Sequence, residues 1–199
     1  MVVLRPYRAS DLDALYEICL LTGDSGQDAA PLHNDRKVIG ELYAAPYGVL
    51  EPEHVFVAED AQGVAGYIVG THDTTAFEAR QTREWWPQLR RHYTEVAPDS
   101  LTAADRMRTK AIDEPGSNPA DIVFRYPAHI HMNLLTRLRG QRVGTGLLQL
   151  WIEQAKAAGV SGIHLGANAK NIGGVAFWTR SGFEPLQTIG GTVWFGMGL

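Results

Sequence analysis

Only one cysteine, Cys19, occurs among the 199 residues. No internal disulfide framework can form, and a reducing, cytoplasmic setting is expected. Long apolar runs are missing as well. None approaches the roughly 20 residues that a bilayer-spanning helix needs. The opening Met1-Val2-Val3-Leu4-Arg5-Pro6 shows no charged leader before an apolar stretch, so neither a signal peptide nor a membrane partner is expected. Basic charge is not in excess: 18 Lys+Arg stand against 22 Asp+Glu, a formal net charge of −4. That balance argues against nucleic acid as a partner. Two nucleotide signatures are absent too. There is no GxxxxGK[ST] loop and no GxGxxG after the first strand-like segment, which leaves no support for a kinase-type or dinucleotide site. No metal site is assigned.

What is present is a folded composition, 45% hydrophobic and 20% charged, of a length suited to one domain spanning 1–199. Val2–Tyr7 reads as an opening strand. Ser10 is the expected N-cap of a helix that carries Leu12, Leu15, Tyr16, Ile18 and Cys19 up to Gly23. A Gly/Asp/Ser-rich loop and a short helix over Lys37–Ala44 follow, the helix ending before Pro46. Val55–Ala58 and Val64–Val69 flank Asp60-Ala61-Gln62-Gly63 as a hairpin. The stretch 77–125 balances eight basic against eight acidic residues and reads as a helical insert, with helices about Ala76–Tyr93 and Leu101–Ile112. Beyond it come a strand (Tyr126–Leu135), a helix (Gly144–Ala158), a strand (Gly162–Ala167), a helix (Asn171–Ser181) and two strands around Gly190-Gly191. An antiparallel hairpin followed by β-α-β-α-β predicts a mixed α/β fold, a central mixed sheet of about seven strands flanked by helices.

The segment Leu134-Leu135-Thr136-Arg137-Leu138-Arg139-Gly140-Gln141-Arg142-Val143-Gly144-Thr145-Gly146 joins a strand to a helix through a Gly- and Arg-rich turn. Free N–H groups and the dipole at a helix start favour an anion, and small residues let a phosphate approach the backbone. No acid lies between Asp121 and Glu153, while Arg125, Arg137, Arg139 and Arg142 are all present.

This segment resembles the Gln/Arg-x-x-Gly-x-Gly/Ala loop of the GCN5-related N-acetyltransferases. Gln141–Gly146 matches letter for letter, but aligning the helix through Val143, Leu147 and Leu148 is preferred and places Arg142 where the family's first Gly sits. Asn171 and Ala176-Phe177-Trp178-Thr179-Arg180-Ser181-Gly182-Phe183 are similar to a second family motif. Leu15–Cys19, Gly70–Phe77 and Tyr126-Pro127, with the long insert, resemble the acetyltransferase-like domain of O-GlcNAcases. The resemblance implies acetyl-CoA as acetyl donor. Its site would be built by Leu134, Leu135, Thr136, Arg139, Gly140, Gln141, Arg142, Val143, Gly144, Thr145, Gly146, Asn171, Phe177, Trp178 and Arg180. It also implies transfer to a primary amine of unidentified nature. Trp178 stands where many members carry a Tyr that protonates the departing thiolate. An indole N–H donates a hydrogen bond but is no acid near neutral pH.

A protonated amine must lose a proton before it attacks, so a base is needed. The strand before the loop alternates Ala128, Ile130, Met132 and Leu134 with His129, His131 and Asn133. The two imidazoles on its polar face are candidate bases. Asp73, at the end of the preceding strand, is a third and also reads as an N-cap before Thr74–Phe77. Cys19 lies away from the cofactor segment, which favours direct attack over a covalent enzyme. A rival reading stands beside this one: a catalytically weak or inactive acyl-CoA-binding module.

Overall fold

The computed structural model describes residues 1–199. Seven strands form one sheet in the order β1-β2-β3-β4-β5-β7-β6. They are β1 (Val3–Pro6), β2 (Phe56–Asp60), β3 (Gly63–Thr71), β4 (Ala128–Leu134), β5 (Gly162–Asn168), β6 (Glu184–Ile189) and β7 (Thr192–Gly198). Every neighbouring pair is antiparallel except β4 and β5. The expected mixed α/β sheet of seven strands is thus the observed one.

Two cores lie on the two faces of the sheet. On one, helix α1 (Leu12–Leu20), α2 (Val38–Tyr43), α3 (Ala45–Leu50) and the insert pack against Val57, Tyr67 and Val69. On the other, α8 (Val143–Ala157) lays Leu147, Leu148, Trp151 and Ala155 against Ile68, Ile130 and Ile163. The spacing of these four on α8 is that of a single helical stripe. Gly70 makes the close packing possible, because a Cβ there would stand 2.8 Å from Trp151 Cζ2 and 2.4 Å from the His129 carbonyl.

Three local expectations are corrected. Ser10 does not cap α1. It sits inside a 3₁₀ turn, Ala9–Asp11, where Asp11 takes the Arg8 N–H at 2.8 Å and the Arg5 guanidinium at 2.7 Å. Pro46 does not merely end a helix but opens α3, since its missing N–H is one of the unbonded donors of a first turn anyway. The long insert helix is interrupted. Helix α4 (Thr74–Arg80) passes through a π turn, Gln81–Trp85, into α5 (Trp86–Glu95). Pro87 has no N–H for the carbonyl of the preceding turn, and the wider turn accommodates that loss.

The remainder of the insert is α6 (Ala103–Asp113) and α7 (Ala120–Arg125). It docks through Trp85 Nε1, which donates to the Glu41 carbonyl at 2.9 Å. It docks also through Asp105, whose side chain is fully buried. That carboxylate accepts from His33 Nδ1 at 2.7 Å, Asn34 N at 3.0 Å and Thr102 N at 2.9 Å, tying α6 to the loop before α2. No helix is long and apolar enough to cross a membrane.

Candidate active site

Strands β4 and β5 pair only at Ala128↔Ile163 and His129↔His164. Beyond that point they part, and two clefts adjoin along β4.

The larger, about 930 Å³, lies between Met132–Leu134, the start of α8 and α9 (Ile172–Arg180). The first helical bond of α8 runs from Gly146 N to the Arg142 carbonyl. The N–H groups of Val143, Gly144 and Thr145 therefore have no intrahelical acceptor and are open to an anion. Gly144 keeps the floor low: a Cβ there would meet Leu134 Cδ1 and Met132 Cε at 3.3 Å and Phe177 Cε2 at 3.4 Å. Arg139, Arg142, Lys170 and Arg180 line the rim. Arg142 has φ 60° and ψ 12°, left-handed, at the N-cap of α8. Glycine takes that conformation freely, which is why the helix-aligned register puts Arg142 on a family glycine. Low floor, free amides and four cations fit a pyrophosphate with a slender arm.

Most of the residues assigned to the cofactor from sequence line this cleft: Leu134, Arg139, Gly140, Arg142, Val143, Gly144, Thr145, Asn171, Phe177, Trp178 and Arg180. Four do not. Leu135 packs into both cores. Thr136 is exposed at the start of a 3₁₀ turn. Gln141 donates back to the Arg137 carbonyl at 2.6 Å. Gly146 faces β1, where a Cβ would stand 2.6 Å from Leu4 Cδ1. Arg137 is spent on Asp60 at 2.8 Å, and Arg125 stacks on Tyr126 at the far end of β4. Arg139 reaches across to the Gly26 carbonyl at 2.7 Å. The loop Ser25–Gln27 and Lys170 also line the cleft and were missed. The glycine content of that loop and the lone lysine were the available signals.

The smaller cleft, about 330 Å³, is lined by His129, Ile130 and His131 of β4, Leu165 and Gly166 of β5, and Trp194 of β7. Its outer wall is the insert, with Glu78, Gln81, Trp86 and the loop to Asn118.

The three candidate bases part company here. His129 is buried, and both ring nitrogens are used. The Thr74 hydroxyl gives its proton to the Pro127 carbonyl at 2.7 Å, so His129 Nδ1–H donates to Thr74 Oγ1 at 2.8 Å. The Nε2 lone pair then accepts from Tyr47 Oη–H at 2.6 Å. Burial holds this imidazole well below the usual histidine range, and His131 and His164 add to the effect. His129 is a structural residue and has no nitrogen free for a substrate.

Asp73 is the N-cap of α4, with Oδ1 accepting from Ala76 N at 3.0 Å. It lies at the end of β3 beside the paired, closed end of β4 and β5, and lines neither cleft. The expectation that it borders a cleft is corrected. His131 alone fits. It is half-buried, makes no hydrogen bond to protein, and stands edge-on to Tyr47 and Tyr43. Burial, helped by His164, pushes it down to about 4. Cys19 is buried and its thiol is pushed up to about 11, again by burial.

No family model matches the chain. The rat protein O-GlcNAcase is 26% identical over 160 residues, 80% of this chain, and the chain spans only 17% of that relative's length. The crystal structure of SsHAT is 30% identical, with a TM-score of 0.85 over 99% of this chain and 98% of its own. The chain belongs to the GCN5-related N-acetyltransferase family. A more distant member of the fold, yncA from Salmonella typhimurium, solved with its cofactor acetyl-CoA, is 14% identical. It has a TM-score of 0.56 over 100% of this chain and 94% of its own. In this acetyltransferase fold the parting of β4 and β5 is the feature around which both clefts are built.

Proposed function

We propose that the chain is an acetyl-CoA-dependent N-acetyltransferase, with the donor in the large cleft, a primary amine in the small one, and direct transfer between them. One observation carries the reading. A cationic groove over free helix amides and an aromatic cleft holding an unbonded imidazole adjoin at the point where β4 and β5 separate. Acetyl-CoA supplies a thioester whose C–S bond breaks as the amine nitrogen bonds the carbonyl carbon, giving an amide, CoA and one proton to be taken up. Val143, Gly144 and Thr145 donate to the pyrophosphate, and Arg139, Arg142, Lys170 and Arg180 offset its charge. His131 is neutral at pH 7 and open to the small cleft, and it accepts the proton that the amine loses. Trp178, buried between Phe177 and Phe183, shapes the pantetheine wall and donates no proton. The buried Cys19 thiol supports transfer without a covalent enzyme.

Calorimetry should register acetyl-CoA binding, and an amine panel should accelerate CoA release. His131→Ala should slow that release by about 10²–10⁴ with donor affinity unchanged. No binding at millimolar acetyl-CoA overturns the reading. A second reading, an acyl-CoA-binding module without turnover, is favoured by Trp178 at the usual Tyr position. It predicts binding with no amine-dependent release.

A further inference from the structure

The small cleft contains an acid that the proposed chemistry leaves unused. Glu78 is on α4, half-buried, and is the only carboxylate among the lining residues, which include no Lys or Arg. One oxygen, Oε1, is fixed by two donors from the insert, Asn118 N at 3.0 Å and Asn118 Nδ2 at 2.8 Å. The other, Oε2, has no hydrogen bond from protein, and Glu78 pairs with no cation; the only salt bridges of the surrounding helices are those of Arg80 and Arg83 to Glu84. A half-buried carboxylate with one oxygen unengaged by protein and no cationic neighbour in the cleft is complementary to a cation. The same cleft is lined by Trp86 and Trp194, and the face of an indole attracts an ammonium and is indifferent to a neutral group. The π turn beginning at Gln81 puts Gln81 on this wall with Glu78 and turns Trp86 into it.

We infer that Glu78 seats the acceptor's ammonium group, so that the acceptor is a protonated alkylamine and not a neutral nucleophile. This rests on the small cleft being the acceptor site. Glu78 brings the charged amine in beside His131 and thereby sets specificity; Asn118 is the positioning residue that aims the carboxylate. The head group is the same whether it belongs to a free alkylamine or to a lysine side chain in a peptide.

The test is an equilibrium titration that needs no turnover, read on tryptophan fluorescence because Trp86 and Trp194 line the cleft. The probes are n-butylammonium, uncharged 1-butanol, and a short peptide with one internal lysine. The parent should bind n-butylammonium well ahead of 1-butanol. Glu78→Gln keeps an oxygen for Asn118 and removes the charge. It should weaken n-butylammonium by about 10- to 100-fold, the range for a hydrogen bond between charged groups, and leave 1-butanol and acetyl-CoA unchanged. In steady state the same variant should raise the acceptor KM far more than it lowers kcat. Peptide binding tighter than n-butylammonium assigns a protein acceptor, and the reverse a free amine; both keep the seat. Equal affinity of parent and Glu78→Gln for n-butylammonium overturns the inference. Loss of binding in Glu78→Gln without CoA release from either protein upholds the seat and overturns the transferase reading. Release with equal amine KM in both does the opposite.

Discussion

Replacing Arg142 with glycine should stabilise this protein, although it removes a charge from the cofactor groove. Arg142 holds φ at 60°, and an L-residue in that region carries about 1–2 kcal/mol of steric cost. Glycine removes that cost but adds about 0.4–1 kcal/mol of backbone freedom to the unfolded chain. The side chain is exposed and makes no hydrogen bond, so nothing else is lost on folding. The net gain is about 0.5–1 kcal/mol, a rise in Tm of roughly 1–4 °C for a chain of this size. Arg142→Ala is the control, since it removes the guanidinium and keeps the strained backbone. Urea unfolding of the three proteins at one ionic strength measures the difference. Arg142→Gly should lie above both others, and acetyl-CoA affinity should fall equally in the two variants. If alanine and glycine unfold at the same midpoint, the left-handed backbone is not strained and the explanation for the family's glycine here is wrong.

Gly144→Asp should abolish acetyl-CoA binding by calorimetry with the fold retained, because its Cβ meets side-chain ends that can yield while its charge faces the pyrophosphate. Asp105→Ala should cost about 3–5 kcal/mol in urea unfolding, the range for breaking a buried pair. Asp105→Asn should cost less; equal, small losses for both would show that the anchor contributes little. His72, stacked on His54 at 3.9 Å with Nε2 buried and unbonded, is pushed down to about 4 by burial and then by His54, from an ordinary 6.5. Above pH 6.5 it is neutral folded or unfolded. As pH falls from 6.5 to 4 the unfolded chain gains a proton that the fold does not, and stability drops by up to about 1.4 kcal/mol per unit. His72→Phe should flatten the fall of the urea midpoint between pH 7 and pH 5; an unchanged slope would refute this assignment.

The strands and the cofactor turn were legible in the sequence because each rests on short-range pattern. β4 alternates strictly, and the apolar stripe of α8 begins right after the Gly/Arg turn. The helix before Pro46 was legible, but the one that Pro46 opens was not, because proline is tolerated at a helix start and excluded from its interior, and only the residues that follow show which applies. His129 and His131 cannot be told apart in sequence, being two residues apart on one face. What separates them is Tyr47 and Thr74, which converge on His129 from other segments and leave His131 free. Asp73 looked close to the chemistry because it ends a strand, but which end of the sheet opens is decided by β5. Glu78 had no local signal. It became a cleft residue only when Asn118, forty positions on, folded back to hold it.

The insert leaves the sheet after β3 and returns into the adjacent β4, and the Thr74 N–H donates to the Pro127 carbonyl at 2.9 Å across its base. Its two ends are therefore neighbours, and the closure entropy of a loop grows only slowly with its length. The exposed part of a segment so attached can vary in length, provided that Phe77, Trp85, Trp86, Leu89 and Ile112, which belong to the core on that face of the sheet, and the Asp105 anchor are kept. The larger cleft contains no residue of the insert, whereas the smaller takes a whole wall from it. On the proposed function, acceptor choice is set by the cleft-facing side of this one segment, while the groove at the start of α8 stays the same.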